Sequence, residues 1–215
     1  EQYEYLKCMP AVSTHHFGIY FDTPVGERLG GVLVYSPDYA KNLGHWDKYG
    51  YTDNMLLLSR GACLWWTPHN TASYFISRAN RWLRDNTDFR VVTATVDAMA
   101  GEVGTIYQSL NWNYVGSMRR ANPNIKVKSR SRFGVIIDGK LYGSRAIRSK
   151  IGSQRKAEIL KRWPDAQFVK QREKDRYFTF LGTKREKREL RKSIEHLILP
   201  YPKRDIVTPT TVREA

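Results

Sequence analysis

Two side chains with acid–base chemistry, Asp97 and Tyr107, stand on either side of a glycine-rich turn. A carboxylate can accept a proton and a phenol can donate one, so the pair could serve a group transfer. Asp97 follows a β-branched run at residues 89–96, and Tyr107 lies in residues 104–110, where apolar residues recur at helical spacing. Ligands bind at the carboxyl ends of strands in open α/β sheets, which favours a site here. The alternatives are a turn cap for Asp97 and a half-buried core position for Tyr107.

The strands that would position this turn are marked by apolar and aromatic runs. Residues 17–21 and 31–35 predict two strands, joined by a loop over residues 22–30. Residues 55–58, followed by Ser59-Arg60-Gly61, predict the start of a central strand that continues, with a break, through residues 63–66. A further strand is expected at Tyr114, after the short helix that carries Tyr107.

A helix is predicted to follow residues 67–70, with Asn70 as its N-cap residue. Its apolar face comprises Phe75, Ile76, Ala79, Trp82 and Leu83. Three cations lie off that face, namely Arg78, Arg81 and Arg84.

The second half of the chain predicts a hairpin followed by helices. Residues 133–137 and 140–142 flank Asp138-Gly139, a pair that suits a tight type I′ turn. Residues 144–163 predict helical structure that is broken at Gly152. Beyond them we predict a strand at residues 176–181, a charged helix at 184–196 and an extended tail at 199–204.

Charge is distributed very unevenly along the 215 residues, whose formal net charge is +15. Residues 1–118 carry nine Lys and Arg against eleven Asp and Glu, whereas residues 119–204 carry 26 against eight. Such a split indicates a polyanionic partner for the second half. The alternatives are a solubilising surface, ribosome binding and a membrane surface. No apolar run reaches the length of a membrane span, so we expect no membrane insertion.

The motif around Tyr107 resembles two known families. Tyr107-Gln-Ser-Leu-Asn-Trp112 is similar to a turn of the GNAT superfamily of N-acyltransferases, with Asn111 in place of glycine and Trp112 in place of phenylalanine. More narrowly, Gly104 to Trp112 with Tyr114 resembles the phage Mom-like DNA-modification proteins, over residues 5–204.

The resemblance implies an α/β (α+β) fold: a GNAT-like central mixed sheet flanked by helices, with an inserted basic element. We therefore expect a GNAT-like catalytic core at residues 1–118 and a basic nucleic-acid-binding element at 119–175. Residues 176–204 would complete the core, and 205–215 would form a tail.

The resemblance also implies an activity. Mom-like proteins attach a carbamoylmethyl-type group to N6 of adenine in double-stranded DNA, which protects phage DNA from restriction in the bacterial cytoplasm. By this resemblance the catalytic residues would be Asp97, Tyr107 and Arg60; a surface position is the alternative for Arg60. The rival functions are an acetyl-CoA-dependent N-acetyltransferase of a protein or RNA amine, and a non-catalytic DNA-binding protein.

Binding residues follow from the same comparison. An acyl donor such as acetyl-CoA would contact Asn70, Thr71, Ser73, Gly104 and Thr105. Residues 67–73 contain no glycine, however, which argues against ordinary coenzyme A binding. The expected DNA contacts are Arg119, Arg120, Lys126, Lys128, Arg145, Arg148, Lys150, Arg155, Lys156, Lys161 and Arg162. A flipped base would stack on Trp46, Tyr49 and Tyr51.

The remaining cofactor and assembly expectations are open. A metal held by dispersed ligands such as His16 and Asp97 is a minor alternative, because no histidine pair has metal-type spacing. A homodimer is a further alternative. Cys8 and Cys63 are too few for a disulfide framework, so an intracellular, reduced protein is expected. The chain lacks an initiator methionine, so residues before Glu1 could be missing.

Overall fold

The fold is taken from a computed structural model. The structure describes residues 10, 12–38, 53–97, 102–117, 133–170 and 174–203, apart from the side chains at 144 and 145. The chain divides into two compact units, residues 1–123 with 174–215 and residues 124–173. The predicted boundaries at residues 118, 175 and 204 stay predictions.

A six-stranded, mostly antiparallel sheet forms the centre of the first unit. Its strands are β1 (His15–Thr23), β2 (Gly26–Pro37), β3 (Met55–Cys63), β4 (Val91–Val96), β5 (Asn113–Ser117) and β9 (Asp175–Phe180). They lie in the order β1-β2-β3-β4-β9-β5, and only the β3–β4 pairing is parallel. The predicted mixed α/β architecture is therefore confirmed.

The prediction of a loop over residues 22–30 is wrong. The turn consists of Pro24 and Val25 alone, and Asp22 pairs with Glu27 in the part of the ladder that runs from Tyr20 to Thr23. Backbone pairing needs no apolar side chains, so the strands extend into polar sequence that looked like a loop. Gly26, with φ of +98°, allows the chain to return, and Thr23 Oγ1 donates to the Gly26 carbonyl oxygen at 2.6 Å.

The parallel strands β3 and β4 pair only over their first residues. Three residue pairs join them, from Met55 with Val91 to Leu57 with Thr93. Just beyond, Ser59 forms a bulge against β2 and donates from Oγ to the Val34 carbonyl oxygen at 3.0 Å. The predicted central strand is thus confirmed, but it runs without a break to Cys63 and does not continue through Trp66. Because the pairing stops early, β3 and β4 are not paired with each other beyond Leu57 and Thr93, and the carboxyl ends of such strands are where ligands bind in open sheets.

Two helices, α1 (Thr71–Asn86) and α2 (Thr105–Ser109), cover one face of this sheet. Along α1 the predicted apolar face is confirmed at Phe75, Ile76, Ala79 and Leu83, which are all buried. Trp82 is the exception, with 46% of its surface exposed, and its ring packs edge-on against Phe17 of strand β1. Trp82 lies at the margin of the apolar face of α1, where the edge strand β1 covers part of its ring.

The last helix of the structure, α5 (Lys184–Ser193), lies on the opposite face. Thr183 accepts a hydrogen bond from the Glu186 amide, and the Glu186 carboxylate accepts one from the Thr183 amide, which completes a capping box. Leu190 and Ile194 pack on the sheet, and a 3-10 turn follows at Glu195–Leu197. The predicted charged helix is confirmed.

A buried ion pair also lies within the first unit, between strands far apart in sequence. Arg176 donates to Asp38 Oδ2 at 2.7 Å, and Thr93 Oγ1 donates to the same oxygen at 2.5 Å. All three residues are buried. Asp38 directly follows β2, and its carboxylate accepts hydrogen bonds from Thr93 of β4 and Arg176 of β9. The cluster therefore links three strands.

The second unit is built on a three-stranded sheet in the order β7-β6-β8. Its elements are β6 (Phe133–Ile137), β7 (Lys140–Tyr142), α3 (Ser144–Ile151), α4 (Lys156–Arg162) and β8 (Gln167–Lys170). The hairpin prediction is confirmed, since Asp138 and Gly139 both have the positive φ that a type I′ turn requires. Gly152 ends α3 in a left-handed conformation, as predicted. Strand β8 was missed.

Candidate active site

The segment that presents Tyr107 begins at a glycine that cannot be replaced without strain. Gly104 precedes α2 with φ of +70°, and a Cβ there would lie 2.5 Å from Cε2 of Tyr177. Both the backbone angle and the close ring require glycine. Packing therefore accounts for Gly104, and its expected contact with an acyl donor, like that of Thr105, stays a prediction.

Tyr107 is held in a cluster of aromatic rings on the α1/α2 face of the sheet. Its ring centroid lies 5.1 Å from that of Trp112 and 5.4 Å from that of Tyr177. Burial, with the neighbouring Tyr107, raises the pKa of Tyr35 well above its usual range. Tyr35 therefore stays protonated, and its hydroxyl donates a hydrogen bond to Asn80 Oδ1 at 3.1 Å. The phenol of Tyr107 is thus oriented by packing and belongs to the same core cluster as the phenol of Tyr35.

A hydrogen-bond network centred on Gln108 fixes the turn that carries Tyr107. Gln108 Nε2 donates to the Val103 carbonyl at 2.8 Å, to the Tyr177 hydroxyl at 3.0 Å and to the Pro202 carbonyl at 3.2 Å. The Tyr177 hydroxyl in turn donates to the Val103 carbonyl at 2.7 Å. Burial chiefly raises the pKa of Tyr177, so this donor stays protonated.

Sequence reasoning missed these supporting residues. Alternation along β2 would have placed Tyr35 on the same face as Leu33, but no sequence pattern indicates that Tyr35 faces Asn80. Gln108 adjoins Tyr107, yet its three acceptors come from segments as far away as Pro202. Only the folded chain brings them together.

Asp97 directly follows β4, at the carboxyl end of the strand. Its Oδ2 lies 3.3 Å from the Lys174 ammonium, and its amide donates to the Glu102 carboxylate at 2.7 Å. The side chain is about one-fifth exposed, so a substrate could reach it. Part of its role is structural, because the contact with Glu102 joins the end of β4 to the segment that precedes Gly104.

Arg60 lies on the other side of the sheet from Tyr107. Arg60 pairs across the strands with Val34, whereas Leu58 pairs with Tyr35. Cross-strand partners share one face of a sheet, and Tyr35 belongs to the core beneath α1 and α2. The structure therefore does not bring Arg60 together with Tyr107.

Asn70 is the N-cap residue of α1, as predicted, but it does not cap the helix with its side chain. Asn70 has φ of +66°, which is left-handed, and its side chain makes no capping bond. Its carbonyl oxygen instead accepts from the Tyr74 amide at 3.0 Å and from Ser73 Oγ at 3.0 Å. Thr71 Oγ1 donates back to the Pro68 carbonyl at 2.6 Å. These side chains close the turn themselves, because no glycine is available to do so.

Residues 1–203 match the Mom protein family. The chain belongs to the Mom protein family. Membership indicates a phage DNA-modification function, and hence an enzyme with DNA as its substrate. A comparison with curated proteins found no match.

In this Mom family member, the cations expected to contact DNA make different contacts within the protein. Lys150 lies 5.2 Å from the ring centroid of Tyr142, and Lys156 lies 4.9 Å from that of Phe168. Arg155 lies 3.7 Å from the Glu158 carboxylate. Of the expected DNA contacts that the structure describes, Arg148, Lys161 and Arg162 are exposed and have neither an acidic partner nor a ring contact.

Several other expectations fall outside what the structure describes in this Mom family member. These are the DNA contacts Arg119, Arg120, Lys126 and Lys128, the side chain of Arg145, and the stacking residues Trp46, Tyr49 and Tyr51. His16 is described, and its Nε2 lies 2.7 Å from Ser13 Oγ. Among residues whose placement is described, no group of three or more His, Cys, Asp or Glu could hold a metal ion. Likewise, no described helix is long and apolar enough to span a membrane.

Proposed function

We propose that the protein is a transferase that modifies adenine at N6 in double-stranded phage DNA, adding a small acyl-derived, carbamoylmethyl-type group. The observation that carries this proposal is the match of residues 1–203 to the Mom protein family. The modification would occur in the cytoplasm of the infected bacterial host and would shield the DNA from restriction nucleases.

We further propose that the scaffold is GNAT-like. The support is topological: β3 and β4 are parallel and diverge, α1 follows β3, and the end of β4 leads into the helix that carries Tyr107. Strand β9 lies between β4 and β5, so the last strand in sequence is inserted into the sheet and is not an edge strand. A donor would enter at the carboxyl ends of the neighbouring strands β3 and β4, as ligands do in open α/β sheets.

The proposed chemistry uses Asp97 and Tyr107. The exocyclic nitrogen of adenine is a poor nucleophile, because its lone pair is delocalised into the ring. As the bond from N6 to the transferred carbon forms, the N6 proton would pass to the Asp97 carboxylate. Tyr107 would donate its proton to the group that leaves the donor. Arg60 is not assigned to this step, because it lies on the other face of the sheet.

Aromatic packing supports the role proposed for Tyr107. Trp112 and Tyr177 hold the phenol ring in place, and the Gln108 network fixes the turn beneath it. An acid that is oriented before substrate binds loses little further entropy in the transition state. The duplex would be held through cations, with the target base flipped out of the stack.

Nucleoside mass spectrometry of DNA from cells that express the protein tests the proposal. The parent protein should yield a new adenine adduct, and Tyr107→Phe or Asp97→Asn should abolish it while the protein remains folded. Tyr74→Phe, at an exposed tyrosine of α1, is the matched control and should retain the adduct. Acetylated protein or RNA without a DNA adduct would instead indicate an N-acetyltransferase. Absence of any product would indicate a non-catalytic DNA-binding protein.

A further inference from the structure

Helix α5 carries more positive charge than its own acids can neutralise. Its ten residues include six Lys and Arg but only two glutamates. Glu186 is engaged in the capping box with Thr183, and Glu189 pairs with Arg185 at 2.9 Å. Among the described residues, the remaining five cations have no acidic partner: Lys184, Lys187, Arg188, Arg191 and Lys192.

These five cations share one side of the helix, here called the cationic arc. At 100° per residue they fall within an arc of about 140°, from Lys187 to Lys192. Glu186, Glu189 and Arg185 lie outside the arc. The separation of charge is therefore built into the helix register, in contrast to an ordinary solvated helix, on which opposite charges alternate.

Packing against the sheet holds the cationic arc in a fixed orientation. Leu190 and Ile194 contact the apolar cluster around Phe178 and Phe180, so the helix cannot rotate freely. Desolvation of the ammonium group, together with the positive charge of Arg84 on α1, lowers the pKa of Lys187. An anion bound at the cationic arc would offset the mutual repulsion of its five cations.

We propose that the cationic arc of α5 binds the phosphate backbone of double-stranded DNA, as a contact on the same unit that carries Tyr107. This inference rests on the proposed function, which makes duplex DNA the substrate. It adds a DNA-binding surface that is separate from the basic residues of the second unit. Charge complementarity identifies the partner, because five cations on one arc match a row of phosphates better than they match a mixed protein surface.

The length of the arc sets the size of the expected effect. From Lys184 to Lys192 the helix rises about 12 Å, at 1.5 Å per residue. One DNA strand presents a phosphate every 3.4 Å along the axis, so about three phosphates face the arc. Three contacts contribute about −2.7 to the slope of log affinity against log salt. They should therefore account for roughly 40-fold of the affinity lost between 50 and 200 mM salt.

The test is a salt titration of duplex binding, followed by fluorescence anisotropy, with the full chain carrying Lys184→Gln, Arg188→Gln and Arg191→Gln. We expect weaker binding to all sequences at low salt and a slope that is flatter by about 2.7. The matched control removes three exposed cations of the same unit elsewhere, in Arg28→Gln, Arg78→Gln and Arg81→Gln. Its slope should change by less than one.

Three results would overturn the proposal: equal losses in the two triple variants, an unchanged slope in the α5 variant, or arc-dependent binding that prefers RNA to duplex DNA. Circular dichroism of both variants checks that each remains folded. The binding assay does not depend on product formation. If no adenine adduct forms but the slope still responds to the arc, the proposed chemistry fails and the DNA surface stands.

Discussion

Replacing Gly104 with alanine tests whether packing beneath the Tyr107 turn explains this glycine. The new Cβ would lie 2.5 Å from Cε2 and 2.9 Å from Cζ of Tyr177, so the ring or the turn must move. Overpacking of this kind typically costs about 1–3 kcal/mol. The left-handed φ of +70° adds roughly 1–2 kcal/mol for a residue with a side chain. We therefore expect Gly104→Ala to lose about 2–5 kcal/mol of unfolding free energy.

Gly26→Ala is the matched control for backbone strain. Gly26 also has positive φ, at +98°, but nothing lies within 4 Å of its added Cβ. It belongs to the same unit, so the same unfolding transition reports both changes. Gly26→Ala should lose only the strain contribution, about 1–2 kcal/mol. Urea denaturation followed by circular dichroism measures both variants.

A double-mutant cycle isolates the contact with Tyr177. In a Tyr177→Leu background the clash disappears, so the cost of Gly104→Ala should fall by the overpacking share, about 1–3 kcal/mol. Equal costs for Gly104→Ala and Gly26→Ala would refute the packing explanation. If Gly104→Ala instead kept its stability and lost only donor binding, the cofactor-binding prediction for Gly104 would be favoured.

Three further predictions concern the buried pair, the second unit and the donor. Asp38→Asn should lower the free energy of unfolding, measured by urea denaturation, by about 3–5 kcal/mol, because it leaves Arg176 buried without its carboxylate. The exposed Asp22→Asn is the control, and similar losses in the two variants would contradict this argument. Changing Arg148, Lys161 and Arg162 to glutamine should weaken binding to all DNA sequences and flatten the slope of log affinity against log salt. An unchanged slope would show that these cations are exposed to solvent without contacting DNA. Acetyl-CoA should bind weakly in calorimetry, because residues 67–73 lack glycine, and tight binding would disprove this.

Local sequence determined most of the individual elements. Asp138-Gly139 predicts its hairpin because only residues that tolerate positive φ fit a type I′ turn. The apolar spacing in α1 predicts which side chains are buried, since a helix repeats every 3.6 residues. The family resemblance likewise rests on residues close together in sequence, from Gly104 to Gly116. Each of these signals lies within about 15 residues, so it can be recognised without knowing the fold.

Tertiary structure alone decided how the candidate site is assembled. The bulge at Ser59 shifts the strand register, so Arg60 and Tyr107 lie on opposite faces of the sheet. The sequence alone predicts both as catalytic residues. Asp38 meets Arg176 across 138 positions of chain, and Gln108 meets Pro202 across 94. Such contacts depend on strand order and register, which no local pattern encodes. Sequence therefore determined which residues could react, and strand pairing decided which of them lie on the same face.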